Sequence, residues 1–271
     1  MSSGRIGSWT SGLIPNPSGK GGVGVRYGAV SSLAAPAAPF VNTFSLLFDG
    51  VDDKVLIPTV AAQQPTSALT VSAWVKGGSQ GFNTIFSHYL SAGNQRKFLT
   101  GTDGNKMTFI VSADGTLGAG VHKNYSSSVV ALDSTWNHIA ATFASDSISL
   151  YINGTVDATP TKTTDGTVNT LFNNTVDDIN IADNNNDNTD FVGNIDEVSM
   201  WDAELTSTDI SNIFNSGVPA DLSAHAKSAN LVGWWRCGDG DTFPTIIDQQ
   251  SNSNGTMTNM DAGDIVADVP P

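Results

Sequence analysis

The residues best placed to do chemistry in this sequence are clustered carboxylates. Asp49, Asp52 and Asp53 fall within five positions around Gly50. Asp183, Asp187 and Asp190 punctuate the run Asp183-Asn184-Asn185-Asn186-Asp187-Asn188-Thr189-Asp190. Hard divalent cations need several oxygens gathered at one point, so both stretches are candidate Ca2+ ligands. The second run lacks the glycine and distal glutamate of an EF-hand loop. Tight-turn geometry alone also selects Asp and Asn at such places.

Other reactive types are sparse. His88, His122, His138 and His225 show no metal-ligand spacing, and no Ser-His-Asp or phosphate-loop pattern occurs. The single cysteine, Cys237, excludes an internal disulfide and reads as a buried, inert thiol. Trp234 and Trp235 are neighbours on one apolar segment, Leu231–Cys237, so as strand residues they face opposite ways. One is expected in the core, and the other, Trp234, is the candidate platform for stacking on a sugar.

These residues need elements to position them, and the composition calls for strands. The chain has 271 residues, 39% hydrophobic and only 14% charged, rich in turn formers. Short apolar or alternating runs recur from Phe44 onward: Phe44–Phe48, Val55–Ile57, Leu69–Val75, Thr84–Ser87, Lys97–Leu99 and Met107–Val111. Gly118–Val121, Ser128–Ala131, His138–Phe143, Ser147–Ile152, Asp178–Ile181 and Ile195–Trp201 continue the series. Asp49-Gly50, Asp103-Gly104, Asp114-Gly115, Asn153-Gly154 and Asp165-Gly166 supply turns between them. The spacing predicts a sandwich or barrel, and the alternation over Leu69–Val75 predicts one buried and one partly wet face. One helix is expected near Thr206–Ser216, with Thr206 and Asp209 as a capping box and Gly217 as its stop.

Residues 1–40 differ from the rest, being Gly-, Ser-, Pro- and Ala-rich with no sustained period. Their large side chains come singly (Ile6, Trp9, Ile14, Val25, Tyr27), and Arg5, Lys20 and Arg26 face no acid within the segment. The segment is read as an extended arm whose Arg5, Ile6, Trp9, Ile14, Val25, Arg26 and Tyr27 contact other chains. Residues 41–220 are expected to form the sandwich, and residues 221–271 a further strand and a tail wrapping the same domain. The excess of 26 acids over 12 bases, −14 formally, argues against nucleic acid and anionic membranes as partners. No stretch has the length of a membrane span or of a signal-peptide core.

Five segments, in order, resemble the laminin-G-like jelly rolls of the concanavalin-A-like lectin/glucanase superfamily. They are Ser45–Asp53, Leu69–Val75, Trp136–Phe143, Ile148–Gly154 and Gly193–Trp201 followed by the capped helix. The resemblance covers about Phe44 to Gly217. It implies an all-β, two-sheet antiparallel jelly-roll sandwich with one short helix. It also implies a calcium near the strand ends, with Asp196 joining Asp49 and Asp52 or Asp53. Glycosidases of the superfamily place two carboxylates at strand spacing on one face. Asp196-Glu197 and Asp177-Asp178 are adjacent and therefore expected on opposite faces, so the chain is read as no enzyme. Leu231–Arg236, Thr242–Ile246 and Asn254–Met260 look like the C-terminal extension of such domains in marine tailed phages. That likeness implies a virion subunit, a capsid decoration or tail-associated protein, joined through its arm to other virion subunits or to copies of itself. The alternative is an extracellular lectin module whose partners are glycans.

Overall fold

The computed structural model describes residues 40–77, 81–185 and 189–271. The arm residues Arg5, Ile6, Trp9, Ile14, Val25, Arg26 and Tyr27, and the candidate ligand Asp187, lie outside the described residues. In chain order the strands are β1 (Ser45–Asp49), β2 (Lys54–Ile57), β3 (Ala68–Gly77), β4 (Phe82–Leu90), β5 (Gln95–Asp103) and β6 (Lys106–Ser112). Next come β7 (His122–Ser126), β8 (Asn137–Ala144), β9 (Ser147–Ile152), β10 (Thr155–Val156), β11 (Thr161–Asp165), β12 (Ile179–Ile181) and β13 (Val192–Trp201). After the helix α1 (Ser207–Phe214) follow β14 (Leu231–Trp235), β15 (Thr245–Ile246), β16 (Gly255–Thr258) and β17 (Ile265–Val266).

All pairings are antiparallel and fall into two sheets, the expected sandwich. The first sheet runs β10-β9-β8-β3-β13-β1-β17, with β14 beside the far half of β13. The second runs β11-β7-β6-β5-β4-β12-β2-β16-β15. Alternate residues of each sheet meet between them. Leu46, Phe48, Val71, Val75, Ile139, Phe143, Ile195 and Val198 of the first join Val55, Ile57, Phe86, Phe98, Phe109, Ile179 and Ile181 of the second in one core. The chain beyond residue 220 is woven into both sheets: β14 pairs with β13, β16 with β2 and β17 with β1.

The first sheet is not wet on its outer side. Thr70, Ser72 and Trp74 are as buried as Leu69, Val71 and Val75, which corrects the expectation of one hydrated face. Its outer residues Ala140, Tyr151, Trp201 and Trp234 pack with Leu205, Ile210, Ile213 and Leu222 into a second apolar cluster beneath α1 and the loop that follows. The helix starts as expected: the Thr206 side chain accepts from the Asp209 N–H, and the Asp209 carboxylate accepts from the Thr206 N–H. It stops at Asn215, in the left-handed region (φ 47°), not at Gly217.

Two expected strands are absent. The intervening polar segment His122–Ser126 forms β7 instead, between β6 and β11. Gly118–Val121 makes a turn, with the Val121 N–H donating to Gly118 O. Ser128–Ala131 is loop, tied where Ala131 and Leu132 N–H both donate to Asn105 O at the β5–β6 turn. Ala131 and the following Leu132 enter the inter-sheet core, while Val129 and Val130 stay about half exposed.

Candidate functional site

The turn between β1 and β2 gathers the first acidic stretch. Gly50 adopts φ 77°, and the Asp49 carboxylate accepts from the Val51 N–H at 2.8 Å. Asp53 turns back to accept from the Asp49 N–H at 3.0 Å. Carboxylate oxygens of Asp49, Asp52 and Asp53 then lie within 4.8 Å of one another, Asp53 buried and the other two exposed. Burial pushes the Asp53 carboxyl up to about 6, and the charges of Asp49, Asp264 and Asp52 add to it.

The second acidic stretch arrives on the same rim. Asp183 is ion-paired with Lys54 at 2.7 Å and also accepts from the Asn184 N–H. Asp190 is raised by burial, then by Asp183, with Asp52 contributing and Lys54 opposing. Asp183 and Asp190 therefore lie on the same acidic edge as Asp49, Asp52 and Asp53. Its open end is Asp49, Asp52 and Asp53, while Asp183 already has a cation in Lys54. Three converging carboxylates, one of them desolvated, fit a hard divalent ion.

Asp196 is not there. The β1–β13 register sets Val192 opposite Asp49, and Asp196 lies four residues farther along, about 13 Å at ~3.3 Å per residue. Its carboxylate accepts from Asn42 Nδ2 at 2.7 Å. The implied ligand set of Asp196 with Asp49 is thus broken up by the strand register.

Asp196 and Glu197 also do not face opposite ways. Asp196 pairs with Trp74 and Ser199 with Ser72, so β13 carries one extra residue there, and Glu197 sits at φ 49°. This bulge lets Ile195 and Val198 both face the core while the two acids share the outer side. Glu197 accepts from Trp234 Nε1 at 2.6 Å and from Arg236 Nε at 3.0 Å. Arg236 also donates to Val41 O at 2.6 Å, and its guanidinium lies 4.2 Å from the Phe40 ring centre. Asp239 accepts from the Thr43 N–H at 2.9 Å. The group is a clasp holding Phe40–Thr43 against β13 and β14.

Burial raises Glu197 to about 7, against Arg236 and Trp234, which hold it down. Burial, then the charge of Glu197, holds Asp196 well above the usual carboxylate range. The space beside Glu197 is about 10 Å3, lined by Trp74, His138, Ile213, Ala220 and Leu222. That is about the room for one water and none for a sugar ring.

Trp234, the expected stacking platform, is only 4% exposed and packs in the outer apolar cluster against Phe40. Trp235 fills the inter-sheet core. The pair does face opposite ways, but the helix layer covers the outer one. Among the described residues Trp136, from one of the family-like segments, is the half-buried indole, donating to the exposed Asp268 at 3.1 Å. His138 is packed between Trp74 and Phe214, and burial lowers it to about 3, so it is a neutral core imidazole. Burial likewise raises the Cys237 thiol well above its usual range.

A family model described as the concanavalin A-like lectin/glucanases superfamily matches residues 49–211. The chain belongs to this superfamily. Among solved structures, this superfamily member is similar to a proposed carbohydrate-binding protein from Bacteroides ovatus, at TM-score 0.61 and 17% identity. The match covers 86% of the chain and 62% of the Bacteroides protein's length. It is also similar to a SAP-like pentraxin of Limulus polyphemus, at TM-score 0.47, 15% identity, and 65% and 84% coverage. The binding domain of botulinum neurotoxin serotype G matches at TM-score 0.40 and 19% identity, over 56% of this chain and 36% of that one. No curated protein sequence matches the chain.

Proposed function

We propose that this jelly roll is a non-catalytic carbohydrate-binding module. The observation that carries the reading is the fate of Asp196 and Glu197. Inverting and retaining glycosidases need two carboxyl groups about 5–9.5 Å apart, flanking an open cleft. Here the bulge sets two acids on one face, and Arg236, Trp234 and Asn42 close over them. The fold relative described as a proposed carbohydrate-binding protein supports the substrate class. Screening the chain on a glycan array, beside a reducing-sugar assay on the glycans it retains, tests this. Binding without hydrolysis is expected, and release of reducing ends by the unaltered chain would overturn it.

Asp49, Asp52 and Asp53 would hold a Ca2+ ion as a staple of the β1–β2 turn, since their convergence offers the oxygens a hard cation takes.

A second reading, a virion subunit anchored by its arm rather than an extracellular lectin, is favoured by the charge division. Residues 1–40 carry three of the twelve bases and no acid, leaving nine bases against 26 acids elsewhere, so +3 faces −17. Phe40 belongs to the clasp rather than to the arm, so deleting residues 2–39 should leave melting nearly unchanged while abolishing assembly with sibling chains. Normal assembly of the truncated chain would remove this reading.

A further inference from the structure

Resting on the carbohydrate-binding reading, the geometry points to the cleft over residues 247–254 as a site for a neutral saccharide. The cleft, about 360 Å3, is lined by Ile247, Asp248, Ser251, Asn252, Ser253 and Asn254, within the ~300–1,000 Å3 usual for small-molecule sites. It lies in the connection between β15 and β16, far along the chain from the acidic rim, and borders β14, whose Trp234 side chain belongs to the Glu197 clasp.

Its floor is built by one carboxylate. Asp248 is 1% exposed and accepts from the N–H groups of Trp234 (2.9 Å), Gln250 (3.0 Å), Asn252 (3.1 Å) and Ser253 (3.1 Å). Gln63 Nε2 adds a longer contact at 3.4 Å. With so many donors on two oxygens, the Asp248 carboxylate is fully engaged by the loop and by Trp234. It fixes the loop.

The rest of the lining is uncharged, and two of its amides are held at one end. Asn252 donates through Nδ2 to Val232 O at 3.0 Å, which leaves Oδ1 as its acceptor. Asn254 accepts through Oδ1 from the Asp248 N–H at 3.0 Å, which leaves Nδ2 as its donor. Ser251 adds an exposed hydroxyl that can turn either way. A fixed acceptor, a fixed donor and a rotatable hydroxyl match adjacent sugar hydroxyls, each of which gives and takes a hydrogen bond. Ile247, 37% exposed, supplies the apolar wall for the ring's C–H face. Rigid loops bearing small amide and hydroxyl groups lose little entropy on binding. The acidic chain disfavours sialylated or sulfated glycans.

The test compares the full chain with Ile247→Arg, which fills the cleft from an exposed position, and with Ser251→Ala. All three are applied to an array of neutral, sialylated and sulfated oligosaccharides, with melting temperatures recorded. Expected are binding to a neutral glycan, at least a tenfold loss in Ile247→Arg, a smaller loss in Ser251→Ala, and unchanged melting. Equal binding by Ile247→Arg would overturn the cleft assignment while leaving the carbohydrate reading intact. Binding confined to anionic glycans would overturn the neutral ligand. Failure of the unaltered chain to bind any glycan would remove both.

Discussion

Two carboxylate clusters of this protein invite comparison, the open rim at Asp49, Asp52 and Asp53 and the closed clasp at Asp196 and Glu197. Both raise the pKa of a buried acid, to about 6 at Asp53 and about 7 at Glu197, with burial the leading cause in each. They differ in what surrounds the charge. The clasp brings Arg236, the Trp234 indole N–H and Asn42 onto its oxygens, and these tie the start of the domain to β13 and β14. At the rim the neighbours of Asp53 are other acids, Asp49, Asp264 and Asp52. The same side chain is structural where the fold supplies its counter-charge, and a candidate ligand where it supplies more negative charge.

The sharpest way to break this contrast is Arg236→Met. It leaves Glu197 buried against a half-hydrated clasp, and loss of one partner of a buried pair costs about 3–5 kcal/mol. Denaturant melts should show that loss, with partial recovery in Arg236→Met/Glu197→Gln. A change below about 1 kcal/mol would mean that the clasp is not a buried ion pair.

Next in size is the pH dependence of the clasp. Glu197 titrates higher folded, about 7, than its ordinary 4.5. The folded state therefore keeps a proton the unfolded chain has lost. That contribution is full below about pH 4.5 and disappears as pH rises through about 7, roughly 3 kcal/mol in all. Chemical denaturation across this window should show the decline, and Glu197→Gln should make it shallower, the buried Asp196 and Asp53 carrying the remainder. An unchanged slope in the variant would assign the dependence elsewhere.

The rim should answer to calcium instead. Saturating Ca2+ at a hundredfold excess over Kd would stabilise the fold by about 2.7 kcal/mol if only the native state binds. The gain should shrink as pH falls below about 6, where Asp53 takes up its proton, and Asp53→Asn should abolish it. Identical melting in EDTA and in calcium at pH 7.5 would leave the rim as turn chemistry alone. The smallest effect is expected for Asn42→Ala, which removes one hydrogen bond to Asp196 at the clasp's edge. It should cost about 1 kcal/mol, and the same substitution should not alter any calcium response.

Much of this was legible in the residues themselves. Alternation over Leu69–Val75 and Ile148–Ile152, with Asp-Gly and Asn-Gly turns, determines strands and hence a two-sheet sandwich, because a period of two places apolar groups on one face. Thr206 and Asp209 determine the helix start, since a capping box is a local hydrogen-bond pattern. The acidic triad around Gly50 is local in the same sense. The polar strand His122–Ser126 was not legible, because its place between β6 and β11 comes from pairing rather than from its own hydrophobicity.

Tertiary structure alone decided the rest. Whether Asp196 and Glu197 share a face depends on one extra residue in β13, set by how β3 and β14 pair with it. Whether Trp234 is a platform or a core residue depends on α1 and its following loop, which arrive from elsewhere in the chain to cover the sheet. Whether Asn252 and Asn254 offer a fixed acceptor and donor depends on Val232 and Asp248 holding their other ends. Local spacing determines which way a side chain leaves its own strand. Only long-range packing decides what it meets there, and that neighbour makes a carboxylate a clasp or a ligand.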